Sequence, residues 1–456
     1  MQNLISDMVR SIGLPKVKQA AGVVTRRLPI PQPLLLVGPG ASARLGQAVA
    51  DFGHRRVLVV TDAMVASLGL MKPLLDALKA TGTPYVVFDA ITPDAPIPEV
   101  EEGILLFKRK KCDAIIAFGG GSVMDGAKAI GISAANNRNP RELVGYFRGR
   151  HGPAPIYAVP TTAGTGSEVT VAAVISDSAN GTKLVIRDTR IVPDIAALDP
   201  TLMTGLPPAI TAATGMDALT HAIEAYIGGW STAYTDRMAL AAAGMIFRWL
   251  PLAYRDGNNL QAREKMSLAA AYAGFAFTRA NVGNVHAIAH QLGARYHTPH
   301  GLANSIMLPK VLRFCAPAIG ARLAALAIRT GAGEAGEAEA VLARKFIRSV
   351  ETMSAAIGIP AHLDALQEGD IAQLAAAACW EADSNYPVPR RMTQDDCEAL
   401  LREALPAKAA PKRPTRRPAK AGTVAKPAAG KVKTPTAATA IGKTRAKGKG
   451  SGRKNG

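Results

Sequence analysis

Residues 112–131, "CDAIIAFGGGSVMDGAKAIG", run from an unbroken apolar stretch through three consecutive glycines into a segment with helical spacing. A strand that passes through bare backbone amides into a helix N-terminus is the geometry that receives a pyrophosphate. Glycine suits the turn because a Cβ would hold an anion off the amides, and because tight turns call for positive φ. Ser122 is placed to cap the helix, and Asp125 falls in its first turn. The spacing is neither G-x-G-x-x-G nor G-x-x-x-x-G-K-[ST], so on this stretch alone a plain strand-to-helix turn reads the same way.

The surroundings extend the pattern. From Leu34 to about Asp199 the runs "LLLVG", "RVLVVTD", "PYVVFD", "AIIAFGG", "IYAVPTT" and "TKLVIRD" read as strands. Between the earlier ones lie "ARLGQAVADFG", "VASLGLMKPLLDALKATG" and "EVEEGILLFKRKK", with apolar residues at helical spacing. Continuous apolar strands with intervening helices predict a mostly parallel sheet covered on both faces, an α/β Rossmann-like nucleotide-binding domain over residues 1–205. Near "LPPAITAATGMDALTHAIEAYIG" the character changes: Pro207 and Pro208 suit a helix entry, and helical periodicity continues to about Leu405. This predicts an all-α domain over 206–405, with "GAGEAGEAEA" as a surface loop or the start of a helix. Residues 406–456 have almost no large apolar side chain and are expected to form a disordered tail.

Charge follows the same division. Of 54 Lys and Arg, 15 lie after Pro406 with no Asp or Glu among them, leaving 39 basic against 35 acidic residues in the rest. The net +19 therefore belongs mostly to the tail. Such a segment can bind nucleic acid or another polyanion through counterion release, or serve as a dispensable solvated extension. No aromatic is interleaved with its charges, which argues against base stacking. The N-terminal "MQNLISDMVRSIGLPK" lacks the apolar core of a secretory signal, and apolar stretches are broken before they reach membrane-spanning length. Cys112, Cys315, Cys379 and Cys397 form no C-x-x-C pair and read as buried free thiols of a cytoplasmic protein without a membrane anchor.

Two further stretches support a nucleotide. "YAVPTTAGTGSEVT", residues 157–170, follows a strand with hydroxyls and close-approach glycines suited to phosphate or ribose, although an ordinary polar loop has the same composition. Asp62 ends "RVLVVTD"; there a carboxylate either bonds a ribose 2′-hydroxyl and repels a 2′-phosphate, or caps the next helix.

The metal signal lies downstream. Asp217, His221 and Glu224 are spaced i, i+4, i+7, on one helical face. His286 and His290 repeat the i, i+4 spacing, and Pro299 breaks the chain so that His300 can turn back toward the same point. A carboxylate with several imidazoles suits Fe²⁺ or Zn²⁺. Ala287 follows His286, so the glutamate of H-E-x-x-H is missing, and no G-x-S-x-G elbow is present. Spacing alone leaves open whether His286 or His290 binds the ion.

With these pieces assembled, the chain from about Leu34 to Leu405 resembles the iron-dependent, group III alcohol dehydrogenases of the dehydroquinate synthase-like superfamily. The resemblance rests on "GGGSVMDGAK", "PTTAGTGSEVT", "TGMDALTHAIEAY", "HAIAHQLGARYHTPHGLANSIMLP" and "YPVPRRM", in the family's order. It implies an α/β nucleotide domain, an all-helical domain and a cleft between them. It implies Asp217, His221, His286 and His300 as metal ligands, with His290 beside them as a candidate for proton transfer. The implied dinucleotide contacts are Gly120, Gly121, Ser122, Asp125, Thr161, Thr162, Thr165 and Lys183, with Asp62 at the position tied to NAD preference. It also implies a small alcohol or aldehyde as substrate and a homo-oligomer, a dimer or larger. Where many members carry Asn-Pro-Thr this chain reads "PDAPIP", so Asp94 replaces a nucleotide-facing asparagine; Arg279 and Asn284 replace smaller or apolar residues. Arg279 could meet an anionic substrate group or make a structural salt bridge.

The expected chemistry is reversible, metal-assisted, NAD(H)-linked hydride transfer between an alcohol and an aldehyde or ketone. The alternatives within the superfamily are a maleylacetate reductase-like enzyme and a dehydroquinate synthase-like lyase, which would form no net NADH.

Overall fold

The computed structural model describes Gly22 and residues 27–177, 182–406 and 430–431. Contacts gather Met1–Ala407 into one unit and leave Lys408–Gly456 as a second, in which only Gly430 and Lys431 are described. The readings of the N-terminal leader and of the basic tail fall outside the described residues.

Among the described residues nine strands occur, β1 to β9 in chain order. Six form a parallel sheet: β1 (Leu34–Val37), β2 (Val57–Val60), β3 (Tyr85–Phe88), β4 (Ala114–Gly119), β6 (Ile156–Pro160) and β9 (Ile195–Leu198), in the order β1-β9-β6-β4-β2-β3. The sheet is flanked by α1 (Ala41–Asp51), α2 (Ala63–Ser67), α3 (Lys72–Ala80), α4 (Ile97–Arg109) and α5 (Gly121–Asn136). Strand side chains alternate between faces, and the two cores divide accordingly. Leu58, Val60, Ile115 and Ala117 pack with Val100 and Ile104 of α4 and Met124 and Ile130 of α5. Val57, Val59, Ile116 and Phe118 pack with Leu45 and Val49 of α1 and Leu74 and Leu78 of α3. Strands covered on both sides must be apolar throughout, and β2, β4, β6 and β9 are buried at every position.

The order places a topological switch between β2 and β4. From β2 the chain crosses to β3 on one side; from β4 it moves to β6 on the other. The loops after β2 and β4 therefore diverge and leave a crevice at the carboxyl ends, where open α/β sheets bind ligands. Asp62 follows β2 and Gly120–Ser122 follow β4.

A second sheet was not foreseen. β5 (Gly145–Tyr146), β8 (Thr182–Arg187) and β7 (Ala172–Asp177) lie in the order β5-β8-β7, with β7 and β8 antiparallel. The run "TKLVIRD" thus belongs to this hairpin and not to the parallel sheet. The sequence reading did not mark β7 and β9: in "AAVISD" alanine and serine leave only Val174–Ile175 as a β-branched pair, and "IAAL" has a single β-branched residue. The segment 65–82 is also two helices, α2 and α3, separated at Gly69, whose φ is +67°.

The remaining elements are helical: α6 (Pro208–Ile227), α7 (Ala233–Arg255), α8 (Leu260–Ala280), α9 (Asn284–Tyr296), α10 (His300–Thr330), α11 (Glu339–Ala356), α12 (Ile371–Asn385) and α13 (Gln394–Arg402). Pro207 and Pro208 open α6 as expected, and "GAGEAGEAEA" is a loop to Ala338 followed by the start of α11. By length and composition α10 could cross a membrane, although Pro309, Lys310, Arg313 and Pro317 break its apolar run. Its apolar residues Met307, Leu308, Leu312 and Leu323 instead fill the main helical core. The four cysteines are buried and none is in a disulfide among the described residues.

Candidate metal centre and cofactor cleft

Three helices deliver the histidine cluster. Successive turns of α6 present Asp217, His221 and Glu224, all buried. Helix α9 carries His286 and His290, then ends at His297 in the left-handed conformation (φ 54°), and Pro299 leads straight into α10, whose first residue is His300. The reversal brings α10 against α6. A Cβ on Gly301 would lie 2.4 Å from the Ala213 carbonyl oxygen and 3.3 Å from Asp217 Cβ, so only glycine lets the backbones close.

Asp217, His221, His286 and His300 each offer one donor atom, all within 4.8 Å of one another. An ion about 2.1 Å from every donor needs separations of about 4.2 Å or less, so shifts of tenths of an ångström complete the fit. The wiring of the donors supports it. His286 Nδ1 bonds Glu224 Oε2 at 2.6 Å, which fixes the proton on Nδ1 and leaves Nε2 as a lone pair. His221 Nδ1 is buried with no hydrogen-bond partner and faces Asp217 Oδ2 at 3.9 Å. Asn304 Nδ2 lies 2.7 Å from Asp217 Oδ1, 3.2 Å from His286 Nε2 and 3.1 Å from His300 Nε2, so three acceptors converge on one point. Burial pushes His300 down to about 4, against the pull of Asp217, and holds His286 well below the usual imidazole range. Neutral imidazoles keep their lone pairs for a cation.

Glu224 was grouped with Asp217 and His221 by spacing, yet its place is behind the donors. Besides the His286 ring it accepts from the amides of Gly283 (2.8 Å) and Val285 (2.7 Å), clamping the start of α9. Burial raises its carboxyl to about 7, opposed by those N–H donors. His290 lies outside the donor cluster, its ring stacked on His300 with centroids 5.3 Å apart. Its Nδ1 bonds Glu381 Oε1 at 2.5 Å; Tyr386 donates to the same oxygen and Gln291 to Oε2 at 2.7 Å. Burial raises the Glu381 carboxyl, but His290 and these donors outweigh it and hold it below the usual range.

Sequence reasoning missed Asn304 and Glu381. Asn304 could have been found four residues after His300 on the same helical face; Glu381 had no local signal, since its partner lies 91 residues away.

The donors open into a cavity that also reaches the glycine turn. Asp217, His221, His286, His290 and His300 line it from the helical side, and Gly121, Ser122, Asp125, Thr165 and Lys183 from the other. Asp62, Gly120, Thr161 and Thr162 are not among its lining residues. Asp62 caps α2, accepting from the Val65 amide at 2.8 Å. Two expectations about the turn need correction. Gly119, Gly120 and Gly121 all avoid positive φ; the constraint at Gly121 is close approach, since a Cβ there would meet Thr165 Cγ2 at 2.6 Å. Ser122 does not cap α5: the N-cap is Gly120 without a side-chain bond, and Ser122 Oγ accepts from the Asp94 amide at 3.0 Å. Asp125 uses both carboxylate oxygens internally, on Ser167 Oγ (2.6 Å) and the Val174 amide (3.0 Å). Asp94 forms an ion pair with Lys183 at 2.9 Å, so its added negative charge is matched within the cleft.

Residues 33–200 match the sequence profile of iron-containing alcohol dehydrogenases, and residues 211–405 that of the C-terminal part of the Fe-containing alcohol dehydrogenase family. The chain belongs to the iron-containing alcohol dehydrogenase family. It is 38% identical over 375 residues to the NAD-dependent methanol dehydrogenase of Bacillus methanolicus, covering 82% of this chain and 98% of that one. It is 38% identical over 372 residues to the 1,3-propanediol dehydrogenase of Klebsiella pneumoniae, covering 81% and 96%. A crystal structure of 1,3-propanediol oxidoreductase superposes with a TM-score of 0.80 at 38% identity, over 82% of this chain and 98% of that one. The parallel-sheet half and the helical half of the chain share the fold of that structure over the matched length.

Proposed function

We propose that the chain interconverts an alcohol and its aldehyde or ketone with NAD(H), using one divalent ion held by Asp217, His221, His286 and His300. The observation that carries the reading is the convergence of those four donors inside a cavity that the glycine turn also lines. Iron is the ion expected from the family, and Zn²⁺ is chemically admissible for the same donors. The dinucleotide contacts are assigned to Gly120, Gly121, Ser122, Asp125, Thr161, Thr162, Thr165 and Lys183, with Asp62 set against a 2′-phosphate.

When bound, the ion supplies Lewis acidity at the substrate oxygen and NAD supplies the hydride acceptor. The side chains do the rest. Glu224 holds the His286 ring in one tautomer and one orientation. Phe277, stacked on His221 with centroids 4.3 Å apart, keeps water from that side of the donors. Glu381 fixes the proton of His290 on Nδ1, so Nε2 is free to take the proton of the alcohol hydroxyl and return it in the reverse direction. His290→Ala lowers kcat by about 100- to 10,000-fold, the usual range for a positioned acid–base group, while metal content persists. Unchanged turnover would remove His290 from the mechanism.

The reading is tested by stripping the protein of metal, reloading it separately with Fe²⁺ and Zn²⁺, and following NADH oxidation over a panel of aldehydes. Metal-dependent oxidation is expected; a lyase of the dehydroquinate synthase type would show no net change in NADH. Two partner proposals are independent of the chemistry. Self-association as a homodimer is read from the mass in solution. Polyanion capture by the 15 basic residues after Pro406 is read as salt-dependent retention on DNA that truncation there abolishes.

A further inference from the structure

The charged groups lining the cavity are almost all accounted for. Lys183 pairs with Asp94 at 2.9 Å, and Asp188 with Arg190 at 2.6 Å. Asp125 accepts from Ser167 and the Val174 amide, and Asp217 belongs to the donor set. Arg279, expected to meet either an anionic substrate group or a salt-bridge partner, forms no ion pair among the described residues. Its guanidinium donates to the Ile30 carbonyl at 2.9 Å and lies over Tyr234.

Arg187 is different. Its guanidinium lies 5.0 Å from the centroid of Tyr146, and among the described residues it makes no hydrogen bond or ion pair. It stands on β8 directly opposite Ala172 of β7, which also lines the cavity and whose methyl group is too small to cover it. Glu381 is near enough to feel its charge, yet its carboxylate accepts from His290, Tyr386 and Gln291 and makes no hydrogen bond to Arg187. A half-buried guanidinium facing an apolar cavity is unfavourable until an anion meets its fork of N–H donors.

We propose that the substrate carries an anionic group, a carboxylate in the simplest case, which Arg187 binds while the alcohol or carbonyl end reaches the donor set. The inference rests on the dehydrogenase reading and narrows its substrate to hydroxy acids and the corresponding oxo acids. Arginine and carboxylate form two parallel charge-assisted hydrogen bonds, so recognition is by direction as well as by charge. A neutral alcohol of equal length leaves the guanidinium unpaired.

The test compares NADH oxidation by the metal-loaded full-length protein with succinic semialdehyde and with butanal. Wild type, Arg187→Met and Arg187→Lys are assayed, with metal content and NADH affinity measured in parallel. Wild type is expected to favour the acid in kcat/KM. Arg187→Met is expected to reduce that preference by about 10- to 100-fold, the loss of one charge-assisted contact, through the KM of the acid. Arg187→Lys should retain part of it. A wild type without preference for the acid, or a preference that Arg187→Met leaves unmoved, overturns the proposal. Weaker NADH binding in Arg187→Met with an unaltered preference also overturns it and assigns the arginine to the cofactor. Turnover of butanal alone sinks this proposal and spares the dehydrogenase reading; a protein inert toward every aldehyde sinks both.

Discussion

Glu224→Ala lowers metal affinity about 10- to 100-fold, the usual cost of losing the carboxylate behind a histidine ligand. The substitution removes the acceptor of three N–H groups at once: the His286 ring and the amides of Gly283 and Val285. With the ring released, the proton can move to Nε2, where it blocks the lone pair directed at the ion. With the amides released, the start of α9 loses the clamp that sets where His286 stands. Glu224→Gln separates the two effects. Its carbonyl can still accept from one amide, but its NH₂ group opposes the Nδ1–H of His286 and favours the wrong tautomer. Bound metal after dialysis against graded chelator is the measurement. Equal metal retention by wild type and both variants would show that Glu224 has no part in holding the site.

Lys128→Met is expected to destabilise the fold by about 3–5 kcal/mol, as expected for breaking a buried charge away from its partners. Lys128 is 1% exposed, and its ammonium reaches Ser167 O (2.6 Å), Ser167 Oγ (3.0 Å), Thr170 O (3.0 Å), Thr170 Oγ1 (3.1 Å) and Ala172 O (2.9 Å). Methionine fills the volume and satisfies none of these oxygens, and it leaves the buried Asp125 without its neighbouring cation. The denaturant midpoint reads the stability. NADH binding should weaken in the same variant, because Ser167 and Thr170 continue the hydroxyl loop that contains Thr161, Thr162 and Thr165. The effect has a pH signature. Burial lowers Lys128 from 10.5 to about 8, against the charges of Asp125 and Glu168. Between those values the unfolded chain binds the proton that the folded chain has released, so this group adds stability as pH rises through the window. Below pH about 8 its contribution is flat. The difference between wild type and Lys128→Met should therefore grow from pH 8 toward 10.5; a constant difference would mean the lysine titrates normally.

Features with a strong local pattern were legible from the chain alone. The runs that became β2 and β4 are apolar at each position because both sheet faces are covered, and Asp217 and His221 announced a shared helical face by spacing alone. Spacing could not distinguish His286 from His290. Both sit on one side of α9, and the difference lies in what stands behind each ring: Glu224 from α6 for one, Glu381 from α12 for the other. Such partners are tertiary and leave no trace in periodicity. Glu224 itself shows the limit, since the spacing that aligns it with Asp217 and His221 says nothing about whether it faces a metal or a ring. The hairpin of β7 and β8 was obscured for another reason. Alanine and serine dilute the β-branched signal, and the register that sets Arg187 opposite Ala172 exists only once the strands pair.

The contact beneath Gly301 has a consequence for how such a pocket can diversify. Asp217 and His300 stand on helices whose backbones touch there with no side chain between them, so their spacing is set by main-chain van der Waals radii and not by rotamers. Residues elsewhere around the cavity can be exchanged to admit a longer, bulkier or more polar molecule while the grip on the cation stays the same width. The chemistry is thereby uncoupled from the choice of what it acts upon.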